Sequence, residues 1–172
     1  MSDLMPADQT AFTFIAPGDL GDGVVRLQLV ETRPAEPEKG TSPCYVFHTC
    51  NAGKGEVVGN VRLRVGSTED LLLYAGHIGY GIRPEYLWHR FAARAVRLLI
   101  PLALRHGMSE LWTTCDPENI ASRRTCELAG AEFVEIVDLP LDIDTYRDGE
   151  RHKCRYRLQL PCHARTENDD II

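Results

Sequence analysis

One change of period dominates this sequence. From Leu71 to Ile82 the chain is rich in Leu, Tyr and Ile, and it closes at Arg83-Pro84, where the proline holds the residue before it extended. From Trp88 to His106 the spacing turns helical: Arg90, Arg94, Arg97 and Arg105 fall on one stripe, while Phe91, Ala95, Leu98, Leu99 and Leu102 face elsewhere. A strand, a tight loop and an amphipathic helix in that order gather free backbone N–H groups at a helix N-terminus, which carries partial positive charge and suits a pyrophosphate. A second strand, Leu111 to Cys115, leads through Asp116-Pro117-Glu118-Asn119 into a short helix from Pro117 to Leu128 that Gly130 ends. That strand should lie parallel to the first, and the gap beside their carboxyl ends is where α/β sheets bind ligands.

The rest of the chain builds a sheet around this unit. Val24–Val30, Cys44–Thr49 and Val57–Val65 read as strands, the last two joined through Asn51-Ala52-Gly53-Lys54-Gly55 as a hairpin. Leu71–Ile82 reads as a fourth strand, Glu132–Asp138 as another, and Arg151–Leu160 as a half-exposed last strand, with Arg151, Lys153, Arg155 and Arg157 on its polar side. Pro101 should kink the long helix on its solvent side. The expected fold is a mixed α/β (α+β) domain: a mostly antiparallel central sheet of six to seven strands with helices on both faces. A length of 172 residues fits one domain, 1–172, with 1–22 as a loosely packed arm and 164–172 as a flexible tail.

A net charge of −6, from 25 acidic and 19 basic residues, removes the broad attraction to phosphate backbones on which sequence-independent nucleic-acid binding depends. The longest apolar run, near Val96 to Leu104, is interrupted by Arg97 and Pro101 and falls far short of a membrane span, and the acidic start of the chain lacks a secretory leader. A cytoplasmic protein with no nucleic-acid or membrane partner is expected. Six cysteines include no C-x-x-C pair. Cys44, His48 and Cys50 share one strand face, and His152 and Cys154 another, with Cys162 and His163 beyond. Four of these could meet around zinc if the strands were adjacent, but packing is the favoured reading and no metal is expected.

Two stretches resemble the GNAT superfamily of acetyl-CoA-dependent N-acetyltransferases: GHIGYGIRPEYLWHRFAARAVRLL and TCDPENIASRRTCELAGAEF, within a span from about Val58 to Val137. The resemblance implies that Gly81 and Ile82 offer backbone hydrogen bonds to pantetheine, that Leu87, Trp88, His89, Arg90, Phe91 and Ala92 bind the CoA pyrophosphate, and that Asn119 lies beside the pantetheine arm. It also implies direct attack by an amine on the acetyl thioester. Where the family writes Arg/Gln-Gly-x-Gly-x-Gly/Ala, this chain has Leu87-Trp88-His89-Arg90-Phe91-Ala92, so two glycines that let backbone approach phosphate are absent; His89 and Arg90 could supply cationic donors instead. Cys126 stands where the family commonly has a tyrosine that protonates the leaving thiolate.

Candidate catalytic residues are then His77 as general base, with an ordinary pKa near 6.5, Cys126 as acid, and Tyr80 as an aromatic wall. Asp116 is a further acid at a strand end. The proline-rich connection from Glu31 to Pro43 has no room for the helices that wall the acceptor site in the family, so that site is open or completed by a second subunit. The expected reaction is acetyl transfer from acetyl-CoA to a small-molecule or peptide amine. The alternative is a non-catalytic CoA-binding or interaction module that keeps the fold.

Overall fold

The computed structural model describes residues 11–161. Eight strands form one sheet: β1 (Leu20–Gly21), β2 (Val25–Arg33), β3 (Cys44–Asn51), β4 (Val57–Arg64), β5 (Ile78–Ile82), β6 (Glu110–Cys115), β7 (Glu132–Asp138) and β8 (His152–Gln159). Their spatial order is β1-β2-β3-β4-β5-β6-β8-β7. Every neighbouring pair is antiparallel except β5 and β6, which run parallel and pair only at Ile78↔Thr113. Beyond that point the two strands diverge, leaving a V-shaped gap in the middle of the sheet.

The helices α1 (Phe91–Leu98), α2 (Ile100–Arg105) and α3 (Ile120–Ala129) cover one face, and α4 (Asp144–Arg147) is a single turn before β8. Strand alternation sends Tyr45, Phe47, Val61, Leu63 and Ile78 towards α1 and into one hydrophobic cluster with Phe91, Ala95, Val96, Leu99 and Leu102. Among the described residues no α-helix covers the opposite face of β2–β5, because the β2–β3 connection holds only the 3-10 turn Pro37–Lys39, and only the turn Leu71–Ala75 borders it, beside Arg64.

The sequence reading needs four corrections. Leu71–Ile82 is not one strand: Leu71–Ala75 forms a π-helical turn, and Gly76, at φ 71°, breaks it from β5. Tertiary contacts outweigh the strand propensity of the Leu run here. Arg64 Nη1 donates to the carbonyls of Ala75 and Gly76 at 3.4 and 3.0 Å, and the Arg155 guanidinium donates to Leu72 O at 3.1 and 2.9 Å.

The second correction follows from the same arginine. Arg155 lies 4.1 Å over the Trp112 ring and pairs with Glu135, while Lys153 pairs with Glu150, so the middle of the basic side of β8 is buried, and only Arg151 and Arg157 are exposed. Third, the long helix begins at Phe91 and breaks at Leu99, with Pro101 in the first turn of α2 and facing solvent.

Fourth, the described part of the arm is docked. Phe12 stacks on His106, Ile15 N–H donates to Tyr45 Oη at 2.7 Å, Arg105 donates to Ala16 O, and Arg94 pairs with Asp22. The expected tail at 164–172 lies outside the described residues. The zinc arrangement fails on strand order: β4, β5 and β6 separate Cys44, His48 and Cys50 from His152 and Cys154, and no metal-sized group of ligands occurs among the described residues. Cys162 and His163 lie outside them.

Candidate active site

The gap between β5 and β6 is the centre of the site, and local pairing decides what lines it. Arg64 N–H bonds His77 O and Arg83 N–H bonds Val58 O, so the hydrogen-bonded pairs of β4 and β5 fall on residues 77, 79, 81 and 83. Gly81 therefore spends its backbone groups on Asn60. Tyr80 and Ile82 are the residues whose N–H and C=O turn into the gap, and Gly81, named with Ile82 in the sequence reading, turns away from it. Among the described residues no helix shields this edge, and it is open for a ligand's amides.

Past β5 the chain passes the 3-10 turn Pro84–Tyr86 and reaches α1 through residues 87–90. Trp88 has φ 73° and Arg90 φ 59°, and they are the only non-glycine residues with positive φ among the described residues. They occupy the two positions where the resembling motif has glycine. The loop thus keeps a glycine-type backbone without glycine, at a strain of about 1–2 kcal/mol per residue. The N–H groups of residues 88–93 have no acceptor among the described residues, the first helical bond being Arg94 N–H to Arg90 O. Six open amides at the start of α1 form a concave donor set that fits a diphosphate.

Trp88, Arg90, Phe91 and Ala92 of this set border a cleft of about 320 Å³ that Ile82 and Arg124 also line. The indole of Trp88 is 91% exposed and does not fill it. His89 serves the loop from within: its Nδ1–H donates to Leu87 O at 2.9 Å and its ring stacks on Phe91 at 5.3 Å. Phe91 and Ala92 are buried in the first turn of α1. Asn119 caps α3, its Oδ1 accepting from Ser122 N–H at 3.0 Å, and this leaves its amide NH2 as a donor at the same end of the gap.

Tyr80 reaches from β5 across the gap to α3. Its hydroxyl lies 2.8 Å from Ser122 Oγ, 3.0 Å from Ser122 O and 3.5 Å from Cys126 Sγ. Burial pushes the Tyr80 phenol well above its usual range, and the neighbouring Cys126 adds to the effect, so it stays protonated. Cys126 is 1% exposed and lies behind Tyr80, against Thr113 and Cys115. The hydrogen bond from the Cys115 thiol lowers the Cys126 pKa and raises that of Cys115. A second cleft, of about 290 Å³, opens beside Tyr80 on the uncovered face, where Gly79, Thr113, Thr114, Arg64 and Lys153 line it.

His77 has a different job from the one expected. Its ring is 2% exposed; Nδ1 accepts from Trp112 N–H at 2.9 Å, and Nε2–H donates to Gly66 O at 2.9 Å. Both nitrogens are engaged by backbone, and burial lowers its pKa, which leaves no lone pair for a substrate proton. Asp116 likewise closes a local turn, accepting from Glu118 N–H at 2.7 Å. Sequence reasoning gave Ser122 no role, although it lies in the stretch Asn119-Ile120-Ala121-Ser122 that carries the family resemblance.

Residues 10–132 match the acetyltransferase (GNAT) domain. The chain belongs to the GNAT acetyltransferase family. No curated protein matches it. Among solved structures it is similar to a ribosomal-protein-S5-alanine acetyltransferase from Vibrio fischeri, at 17% identity and TM-score 0.52, covering 67% of this chain and 61% of that one. It is also similar to a probable GNAT-family acetyltransferase from Chromobacterium violaceum, at 16% identity and TM-score 0.60, with 92% and 94% covered. A third is an acetyltransferase from Salmonella typhimurium that modifies the N-terminal serine of ribosomal protein L7/L12, at 13% identity, TM-score 0.53, with 72% and 67% covered. These likenesses establish the fold of this GNAT chain, which spans about three fifths of the length of the Vibrio fischeri enzyme.

Proposed function

We propose that this GNAT protein transfers the acetyl group of acetyl-CoA to a primary amine, with both held in one ternary complex. The observation that carries the reading is the set of six open amides at residues 88–93, on a strained loop bordering the cleft beside β5. These amides, with Arg90 and Arg124 at the rim, would hold the diphosphate, and the free edges of Tyr80 and Ile82 would pair with the pantetheine amides. Acetyl-CoA bound there supplies an activated acetyl thioester.

The chain's own residues then have three tasks. The gap holds the two reactants side by side, which removes much of the entropic barrier to a bimolecular attack. The open N–H groups on the β5 edge aim donors at the place where carbonyl charge develops. Tyr80 Oη, kept protonated by burial, holds a proton for the leaving sulfur, while the attacking amine releases its own proton to water. Cys126, buried behind Tyr80, positions the phenol together with Ser122.

Titration with CoA, followed by thiol release over a panel of amines, tests the reading. Binding together with turnover on at least one amine is expected. Tyr80→Phe should lower kcat about 100- to 10,000-fold with little change in KM, in the range of a lost general acid. Binding without turnover on any amine would favour a non-catalytic CoA-binding module.

A further inference from the structure

The uncovered face of β2–β5 is basic, although the whole chain carries a net charge of −6. Register places its outward residues in rows across the sheet. Arg33 (β2) lies opposite Cys44, which lies opposite Arg64 (β4); Val46 lies opposite Arg62, which lies opposite Gly79 (β5). Of these, Arg33, Val46 and Arg62, with Arg83 at the end of β5, border a cleft of about 590 Å³ that also reaches Asn60, Gly81, His48 and Glu31. Arg33 pairs with Glu31, whereas Arg62 and Arg83 have no carboxylate partner among the described residues. The Arg62 side chain lies across Gly79, where an added Cβ would come within 3.1 Å of its Cγ. The groove therefore runs up to the mouth of the cleft beside Tyr80.

That mouth also constrains the amine. Its lining includes no Asp, Glu or His, and His77 is engaged by backbone. An acceptor must then bring an appreciable neutral fraction of its own, which fits an α-amino group, with an ordinary pKa of about 7.7–8.0, rather than a lysine ε-amine at about 10.4. From β5 to β2 is three strand spacings, about 14 Å, the length of roughly four extended residues.

Resting on the acetyl-transfer reading, we infer that the acceptor is the N-terminus of an acidic peptide, whose first residues cross this face with carboxylates on Arg62 and Arg83. A single amino acid leaves most of the groove empty. Nucleic acid is disfavoured because base amines are poor nucleophiles and the surrounding chain is acidic.

The test measures binding by anisotropy, with CoA present, using ten-residue peptides dye-labelled at the C-terminus and bearing Asp or Glu, Asn or Gln, or Lys at positions two to four. The wild-type protein should bind the acidic peptide at least tenfold more tightly than the neutral one at low salt. The double variant Arg62→Glu, Arg83→Glu should reverse this order in favour of the Lys peptide, and the Gln double variant should abolish the preference without reversing it. Equal affinities, a preference that survives both variants, or displacement by a single-stranded RNA oligonucleotide or by free glutamate would overturn the inference. Because the readout is binding, an acidic preference without acetylation would leave the inference standing and remove only the transfer reading. Acetylation without a charge preference would do the opposite.

Discussion

Trp88 offers a clean perturbation, because its backbone and its side chain can be separated. The residue holds φ 73° on the phosphate loop while its indole is 91% exposed. Truncating the side chain therefore forfeits almost no buried area, and Trp88→Ala should change stability by less than about 0.5 kcal/mol, since a Cβ remains in the left-handed region. Trp88→Gly removes that Cβ and relieves about 1–2 kcal/mol of backbone strain. Against this stands about 0.4–1 kcal/mol for the greater freedom of glycine in the unfolded chain. The net gain is about 0.5–1 kcal/mol, which in a chain of this size raises Tm by roughly 1–4 °C. Calorimetry on the wild type and both variants measures the difference. Titration with CoA provides a second reading: the glycine variant should bind more tightly than the alanine one, because the open amides of the loop become easier to approach. If Trp88→Gly is no more stable than Trp88→Ala, the loop carries no strain and the argument from its backbone is wrong.

Further outcomes can be checked on the same protein. A Cβ at Gly59 would fall 2.1 Å from Gly81 O, so Gly59→Ala must push β4 away from β5 and should cost about 3 kcal/mol, seen as a Tm loss of roughly 6–12 °C and weaker CoA binding. Asn119→Ala removes the α3 cap and should cost about 1 kcal/mol in a denaturant titration. Burial lowers the pKa of both His77 and His106 in the folded state, so the unfolded chain binds protons more readily. Their contribution is intact above about pH 6.5, the unfolded value, and is lost as pH falls through the folded values. Tm measured from pH 7.5 to 5 should fall, and His77→Gln should make that slope shallower; an unchanged slope in the variant would contradict the assignment.

The sequence made the gap and its loop legible because they depend on local signals. The proline after Arg83 ends β5, the arginine stripe marks α1, and Gly130 ends α3, whereas α3 begins at Ile120 behind its cap Asn119 rather than at Pro117. Two of the failures are of another kind. His77 looked available because alternation sets only the face of a strand residue, whereas its partners, Gly66 O and Trp112 N–H, come from segments 11 and 35 residues away. The π-helical turn at Leu71–Ala75 escaped for the same reason, since the guanidiniums that hold its carbonyls come from β4 and β8. The arginines of the uncovered face could have been read from the alternation of Val57–Val65. Only the register of β2, β3 and β4, however, shows that Arg33, Arg62 and Arg64 share one surface.

The imidazole of His77 acts as a rivet at the vertex of the V. It fastens β5 to the backbone of β6 beside their single point of pairing, and it ties the same vertex to the loop that follows β4. Sliding one strand past the other would strip two buried bonds from the ring, each leaving a polar group unsatisfied at about 1–3 kcal/mol. The wedge therefore has a fixed angle, and any adaptation to bulkier acyl chains has to come from the side chains along its arms.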